Sequence, residues 1–268
     1  MTSLAEKVVL GRSGFRVSRL GIGSSFGVSE RACRKAFDAG VNYFFWGSVR
    51  SPAMATAIRH IAHTQRDDLV VVVQSYARSL LVRRSLEKGL KKLGLDSADI
   101  LLLGWHDEPP SERLMDAVEE LRTRGLFKCL GVSSHHRPLF QTLADDIRFG
   151  VFHLRYNAAH PGAETDVFPY LGSDSPGIVS FTNTRWGDLL KQKNMPMGCT
   201  APSATDCYRF ALSNPYVHVA TCGPKSDEEM DIALKAIDLG SMEPDEMERM
   251  RTIGKHVHGI RSFMTRFT

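Results

Sequence analysis

The chain has 268 residues, 43% of them hydrophobic, which suits one large α/β domain or two small ones with a substantial core. Its formal charge of +4 comes from 34 basic and 30 acidic residues spread along the whole length, without a basic block or basic-aromatic alternation, so a nucleic-acid partner has no support. No apolar run approaches the roughly 20 residues that span a bilayer, and the N-terminal MTSLAEKVVLGRSG lacks the apolar centre of a signal peptide; the expectation is a soluble, cytoplasmic protein with no membrane partner.

In chain order, SRLGIG opens a series in which short runs rich in Val, Ile, Leu and Phe alternate with longer amphipathic runs. The strands predicted after it are 41–45, 69–73, 99–103, 128–133, 151–156, 177–182 and 217–221, eight in all. They are nearly continuous apolar runs, which suits parallel strands covered on both faces. Between them, 79–93 puts Leu86, Leu90 and Leu93 on one helical face, and 111–125 does the same with Leu114, Val118 and Leu121. An extra helix is expected at about 243–262.

Eight β–α units in about 250 residues match a closed (β/α)8 TIM barrel, an α/β fold, and no Pro/Gly-rich linker divides residues 1–268 into separate domains. A doubly wound open sheet is the alternative, but the glycines at 21, 23 and 27 do not make the G-x-G-x-x-G phosphate loop that it would carry. The five cysteines contain no C-x-x-C pair and there is no H-E-x-x-H spacing, so no metal site is expected and the thiols read as reduced.

In a barrel the strand C-terminal ends converge on one mouth. Here they carry Phe45, Trp46 and Arg50; Gln74, Ser75 and Tyr76; Gly104, Trp105 and His106; Ser133, Ser134, His135 and His136; Tyr156, Asn157 and His160; Phe181, Arg185 and Trp186; and Gly223, Lys225 and Ser226. Aromatic residues with a few convergent polar groups are what a small-molecule pocket is built from.

The stretches LGRSGFRVSRLGIGSSFG, AFDAGVNYFF, SLEKGLKKLGLDSADILLLGW, GLFKCLGVSS and CGPKSDEEM, taken together, resemble the aldo/keto reductases over essentially the full length. The resemblance implies a barrel that binds NADP(H) across the strand ends and exchanges a hydride with the carbonyl carbon of a small-molecule substrate. It implies that Ser133, Ser134 and His153 hold the nicotinamide carboxamide and that Phe181 stacks on the ring. It places Gly187 and Leu189 at the phosphates, and Gly223, Lys225 and Ser226 at the adenosine phosphate. Ser226 and Glu229 also have capping-box spacing, and the carboxylates of Asp227, Glu228, Glu229 and Asp231 crowd a place where a 2′-phosphate wants positive charge.

The family's proton-transfer machinery is a Tyr acid beside a Lys–Asp pair, with a His orienting the carbonyl. Its Asp position falls on Phe45, its Tyr on Arg50, its Lys on Gln74 or Ser75 and its His on Gly104, and all four side chains differ from the pattern. The replacements agree with one another: without the Asp there is no Lys to leave unpaired, and Gly104 is expected to open space beside Trp46 and Trp105.

Three residues are the catalytic candidates: Arg50 as an anion or oxyanion binder, and Tyr76 and His106 as proton donors. Three arginines each lie beside an aromatic, Arg155, Arg185 and Arg209, and Arg185 is expected to face the pocket with Trp46, Trp105 and Trp186, where it would favour an anion. A catalytically inactive cofactor- or metabolite-binding barrel, or a non-redox lyase or isomerase, is the alternative to an oxidoreductase.

Overall fold

Alternation along single strands divides the apolar residues into two layers, and this division builds the molecule. The computed structural model describes residues 3–47 and 51–264. A short hairpin of β1 (Val8–Val9) and β2 (Arg16–Val17) leads into β3 (Leu20–Gly23), α1 (Glu30–Asp38), β4 (Tyr43–Trp46), α2 (Pro52–Gln65), β5 (Val70–Ser75) and α3 (Leu81–Leu93). Then come β6 (Ala98–Leu103), α4 (Glu112–Thr123), β7 (Phe127–Ser134), α5 (Pro138–Leu143), β8 (Phe149–Arg155), α6 (Ala163–Asp166), β9 (Gly177–Phe181), α7 (Ala204–Leu212), β10 (Val217–Cys222), α8 (Asp227–Leu239) and α9 (Pro244–Met264).

Strands β3 to β10 pair in sequence, all parallel, and β10 pairs back to β3 through Ala220 and Leu20, so the sheet closes. The eight predicted strands are the eight staves, and closure rules out the open doubly wound sheet. Tyr43, Val70, Val72, Ile100, Leu102, Val151, Val179 and Val219 form the cluster inside the barrel, joined by Leu10 and Val17 of the hairpin region. The residues of opposite parity, including Phe44, Trp46, Val71, Val73, Leu101 and Leu103, belong to the layer between strands and helices. Leu86, Leu90, Leu93, Leu114, Val118 and Leu121 pack into that layer from α3 and α4. Each such side chain contributes about 1.5–3 kcal/mol on burial.

Helix ends follow local chemistry. Ser29 accepts from the Ala32 N–H at the start of α1, Ser203 and Asp206 close a reciprocal capping box on α7, and α3 stops at Gly94, whose φ of 63° is the left-handed conformation glycine tolerates. α2 starts with Pro52 in its first turn, yet the hydroxyl of Ser51 donates to the Ser24 carbonyl instead of capping the helix.

α9 lies beside the loops that follow β8 and β9. The Arg251 guanidinium pairs with Glu164 at 3.0 Å, the His258 ring meets the Ala159 carbonyl at 2.8 Å, and Gly254 permits an approach at which a Cβ would stand 2.0 Å from the Ala158 carbonyl oxygen. No helix among the described residues is long and apolar enough to cross a membrane.

Candidate functional site at the barrel mouth

A cavity of about 890 Å³ opens at the C-terminal ends of the strands. Strand parity decides which side chains reach it. Phe45, Gln74, Ser133, His153 and Phe181 point inward and line it. Their neighbours Trp46, Ser75 and Ser134 point the other way and are buried, with relative exposures of 3%, 1% and 1%. Trp46 therefore lies in the outer layer against Gly89 of α3 and does not face the pocket, contrary to the expectation for it. Ser134 is likewise turned out, its hydroxyl accepting from the His136 N–H at 2.8 Å.

Of the expected tetrad positions, Gln74 and Gly104 stand against each other. Of the two positions expected for the Lys, Gln74 lines the cavity and Ser75 does not. A Cβ at Gly104 would fall 2.6 Å from Gln74 Nε2 and 2.8 Å from the Tyr76 ring, and one at Gly47 would fall 2.7 Å from Phe45 Cζ. The space beside Gly104 is thus taken up by Tyr76 and Gln74, not left open between Trp46 and Trp105. The Tyr76 hydroxyl donates to Gln74 Oε1 at 2.8 Å, and burial pushes the phenol pKa up. Arg50 lies outside the described residues.

His106 is not at the cavity. It is 6% exposed, its backbone N–H donates to the Ser133 carbonyl at 3.1 Å, and burial, followed by the charge of Arg78 and opposed by Asp107, lowers its pKa to about 4. A neutral imidazole at pH 7 is no general acid, so the expected proton-donor role finds no geometric basis.

On the opposite wall, His153 is fully enclosed and its Nε2 lies 2.6 Å from the Tyr43 hydroxyl within the barrel. Burial lowers its pKa to about 3 and raises that of Tyr43 well above the ordinary phenol value, so both are neutral. Aromatic rings continue around the mouth: Tyr76 on Trp105 at 5.4 Å, Trp105 near His135 at 6.1 Å, and His135 edge-on to Phe181 at 5.2 Å. Sequence reading had named His135 only as one histidine among several at strand ends.

The loop after β9 is strained. Thr182, Arg185 and Trp186 have φ of 54°, 52° and 52°, and Gly187 has 83°. Left-handed non-glycine residues cost about 1 kcal/mol or more each. Turn hydrogen bonds hold them, from Arg185 N–H to the Thr182 carbonyl at 2.8 Å and from Asp188 N–H to the Arg185 carbonyl at 3.0 Å. The outcome is a half-exposed Trp186 on the cavity rim and a buried Arg185 that turns away to donate to the Val257 carbonyl on α9. Arg185 is therefore not a pocket residue, and Leu189 is core, while Gly187 and Leu190 line the cavity.

At the far end Gly223, Lys225 and Glu229 line the cavity, and Ser226 caps α8 by accepting from the Glu229 N–H. Glu229 Oε2 reaches back to the Lys225 N–H at 2.8 Å. Two of the crowded carboxylates are answered by α1: Asp227 accepts from Ser29 and Arg31, and Asp231 pairs with Lys35 at 2.5 Å. Among the described residues no group of three or more His, Cys, Asp or Glu side chains could hold a metal ion.

The aldo/keto reductase family pattern matches residues 19–198, two thirds of the chain. The chain belongs to the aldo/keto reductase family. It is similar to L-galactose dehydrogenase of Arabidopsis thaliana, 27% identical over 260 residues that cover 86% of this chain and 79% of that one. Methylglyoxal reductase DkgA of Yersinia pestis is 28% identical over 137 residues, 48% of this chain and 49% of the relative. Among solved aldo/keto reductases, the holo form of AKR11C1 from Bacillus halodurans superposes with a TM-score of 0.78 at 17% identity, covering 92% of this chain and 96% of that one. A Klebsiella pneumoniae aldo/keto reductase in complex with NADP and acetate superposes with a TM-score of 0.78 at 20% identity, covering 93% and 96%.

Proposed function

We propose that this aldo/keto reductase family member is an NADP(H)-dependent oxidoreductase acting on a small carbonyl compound, with a proton donor other than the family's Tyr–Lys–Asp set. The observation that carries the reading is the wall formed by Ser133, His153 and Phe181, continuous in one cavity with Gly187, Gly223 and Lys225. The relatives named as a dehydrogenase and a reductase, and the neighbour solved with NADP, support it.

The donor set fits the cofactor. Phe181 offers a ring face for stacking, the Ser133 hydroxyl and the His153 ring offer polar atoms for a carboxamide, and Lys225 with the N-terminus of α8 offers positive potential to a phosphate. When bound, the nicotinamide supplies or accepts the hydride.

The proton is the harder requirement. Tyr76 and the buried Tyr208 are the phenols that line the cavity; Tyr76 is the exposed one of the two, and with no lysine beside it the hydroxyl stays protonated through the neutral range. An alkoxide is a stronger base than even a raised-pKa phenolate, so donation from Tyr76 is downhill, but without a neighbouring cation it is slower than in a tetrad enzyme. Phe45 and Gln74 favour a second reading, a barrel that binds the dinucleotide without turnover.

Titration of the purified chain with NADPH and NADH, followed by tryptophan fluorescence, tests the first step because Trp105 and Trp186 line the cavity. Saturable binding, then NADPH oxidation with members of a carbonyl panel, is the expected result. Binding without any oxidation selects the second reading, and no binding of either cofactor at roughly 1 mM refutes both.

A further inference from the structure

Among the described residues, the imidazoles and phenols that line the cavity are Tyr76, His135, His153 and Tyr208, and three of them are already engaged. His153 is held by the Tyr43 hydroxyl at 2.6 Å, and the Tyr76 hydroxyl donates to Gln74 Oε1 at 2.8 Å. Tyr208 is buried and meets the backbone of Gly223 at the phosphate end. His135 differs. It stands exposed in the mouth, and among the described residues neither of its ring nitrogens makes a hydrogen bond.

Ring packing holds this imidazole in place. Phe181 lies 5.2 Å from it at an interplanar angle of 88°, and Trp105 lies 6.1 Å from it. A ring stacked on Phe181 therefore has His135 as its neighbour, whereas Tyr76 meets the same wall further along, at Trp105. Gly104, the position expected for an orienting histidine, has no room for a side chain, because a Cβ there would fall 2.6 Å from Gln74 Nε2.

We infer that His135 is a further catalytic residue of this barrel, whose ring N–H donates to the carbonyl oxygen of the substrate and orients it for hydride transfer. The inference rests on the proposed oxidoreductase reading for the hydride, but the hydrogen bond to a carbonyl oxygen does not depend on it. His135 keeps its own proton throughout: the carbonyl carbon takes the hydride, and the oxygen takes its proton from Tyr76.

The chemistry of the ring suits this role. Partial burial and then the charge of Arg155 lower its pKa, opposed by Asp107, so the imidazole is neutral at pH 7. A neutral imidazole has one N–H and one lone pair, and with neither nitrogen tied to the protein the proton can take the one that faces the oxygen. Such a ring polarises a carbonyl without surrendering its proton.

The probes for the test follow from the wall. Phe45, Trp105, Phe181 and Trp186 surround the position, while the charged side chains lining the cavity among the described residues, Lys225 and Glu229, are at the phosphate end. Acetophenone and α-methylstyrene match in shape and differ in having a carbonyl oxygen or a methylene group. Their dissociation constants are measured calorimetrically on the full chain, with and without NADP+, which cannot reduce the ketone. In His135→Phe, which keeps a ring, acetophenone should bind at least about fivefold more weakly while α-methylstyrene binds as before; His135→Gln, which keeps an N–H donor, should recover part of the loss. Undiminished acetophenone binding in His135→Phe, an equal loss for both probes, or no binding of acetophenone to the native protein overturns the assignment. NADP+ affinity and melting temperature are read in the same preparations. Absence of NADP+ binding counts against the oxidoreductase reading alone, and an unchanged melting temperature shows that each variant is folded.

Discussion

At the scale of single residues, the mouth of this barrel is a matched set of replacements. Gln74 and Tyr76 fill the space beside Gly104, and Phe45 and Gln74 fill the space beside Gly47, so reverting one position to the family's residue is not expected to rebuild the tetrad. A side chain at 104 collides with Tyr76 and Gln74, and a lysine at 74 finds Phe45 where its carboxylate partner belongs. Tyr76→Phe is expected to lower kcat by about a hundredfold while leaving NADPH binding unchanged, as removal of a general acid does. Equal turnover in the variant assigns the proton to another group. Glu229→Gln keeps an acceptor for the Lys225 N–H but removes a charge from the phosphate end of the cavity; NADPH affinity should rise roughly fivefold, from about 1 kcal/mol of repulsion relieved, with NADH affinity unchanged. Isothermal titration of both cofactors reads this directly. Part of the site was legible from alternation alone: once Phe45 faces in, Trp46 must face out, and the same count turns Ser134 outward and separates Gln74 from Ser75. The inward path of Tyr76 over Gly104 and the burial of His106 were not legible, because both lie past the strand ends where parity stops.

At the scale of elements, the eight strands and the amphipathic helices between them follow from apolar run length and helical period, which is why their order was readable. The loop after β9 was not readable. Three non-glycine residues with positive φ turn Arg185 away from the pocket while Trp186 keeps its expected place on the rim, and no sequence pattern announces such a turn. α9 carries a local test of packing. Gly254→Ala should destabilise the protein by about 1–3 kcal/mol, because the new Cβ meets the Ala158 carbonyl at 2.0 Å. Gly259→Ala, five residues on in the same helix with nothing within 4 Å, should instead stabilise by up to about 1 kcal/mol through helix propensity. Urea unfolding that gives both variants the same sign would contradict this docking of α9.

At the scale of the whole molecule, the barrel stores several neutral histidines. His153 and His160 have pKa values lowered to about 3 and His106 to about 4, each first by burial. In the unfolded chain they return to about 6.5, so between that value and the folded ones the unfolded state binds more protons. Their contribution to stability is complete above about pH 6.5 and is lost as pH falls toward 3. The melting temperature should hold between pH 7 and 8 and decline steadily from about 6.5 to 4, with a shallower decline in His153→Gln. A flat profile down to pH 4.5 would mean that these rings are charged in the folded protein.

The proposed function requires a dinucleotide seat at the barrel mouth, in a chain that carries Phe45, Arg50, Gln74 and Gly104 at the expected acid–base positions. Calorimetric titration of NADPH into the native chain, Phe181→Ala and Lys225→Ala addresses that seat most directly. The prediction is saturable one-to-one binding to the native protein, weakened by about tenfold, or 1.4 kcal/mol, in each variant. Absence of binding up to roughly 1 mM, or binding that neither substitution changes, would contradict it.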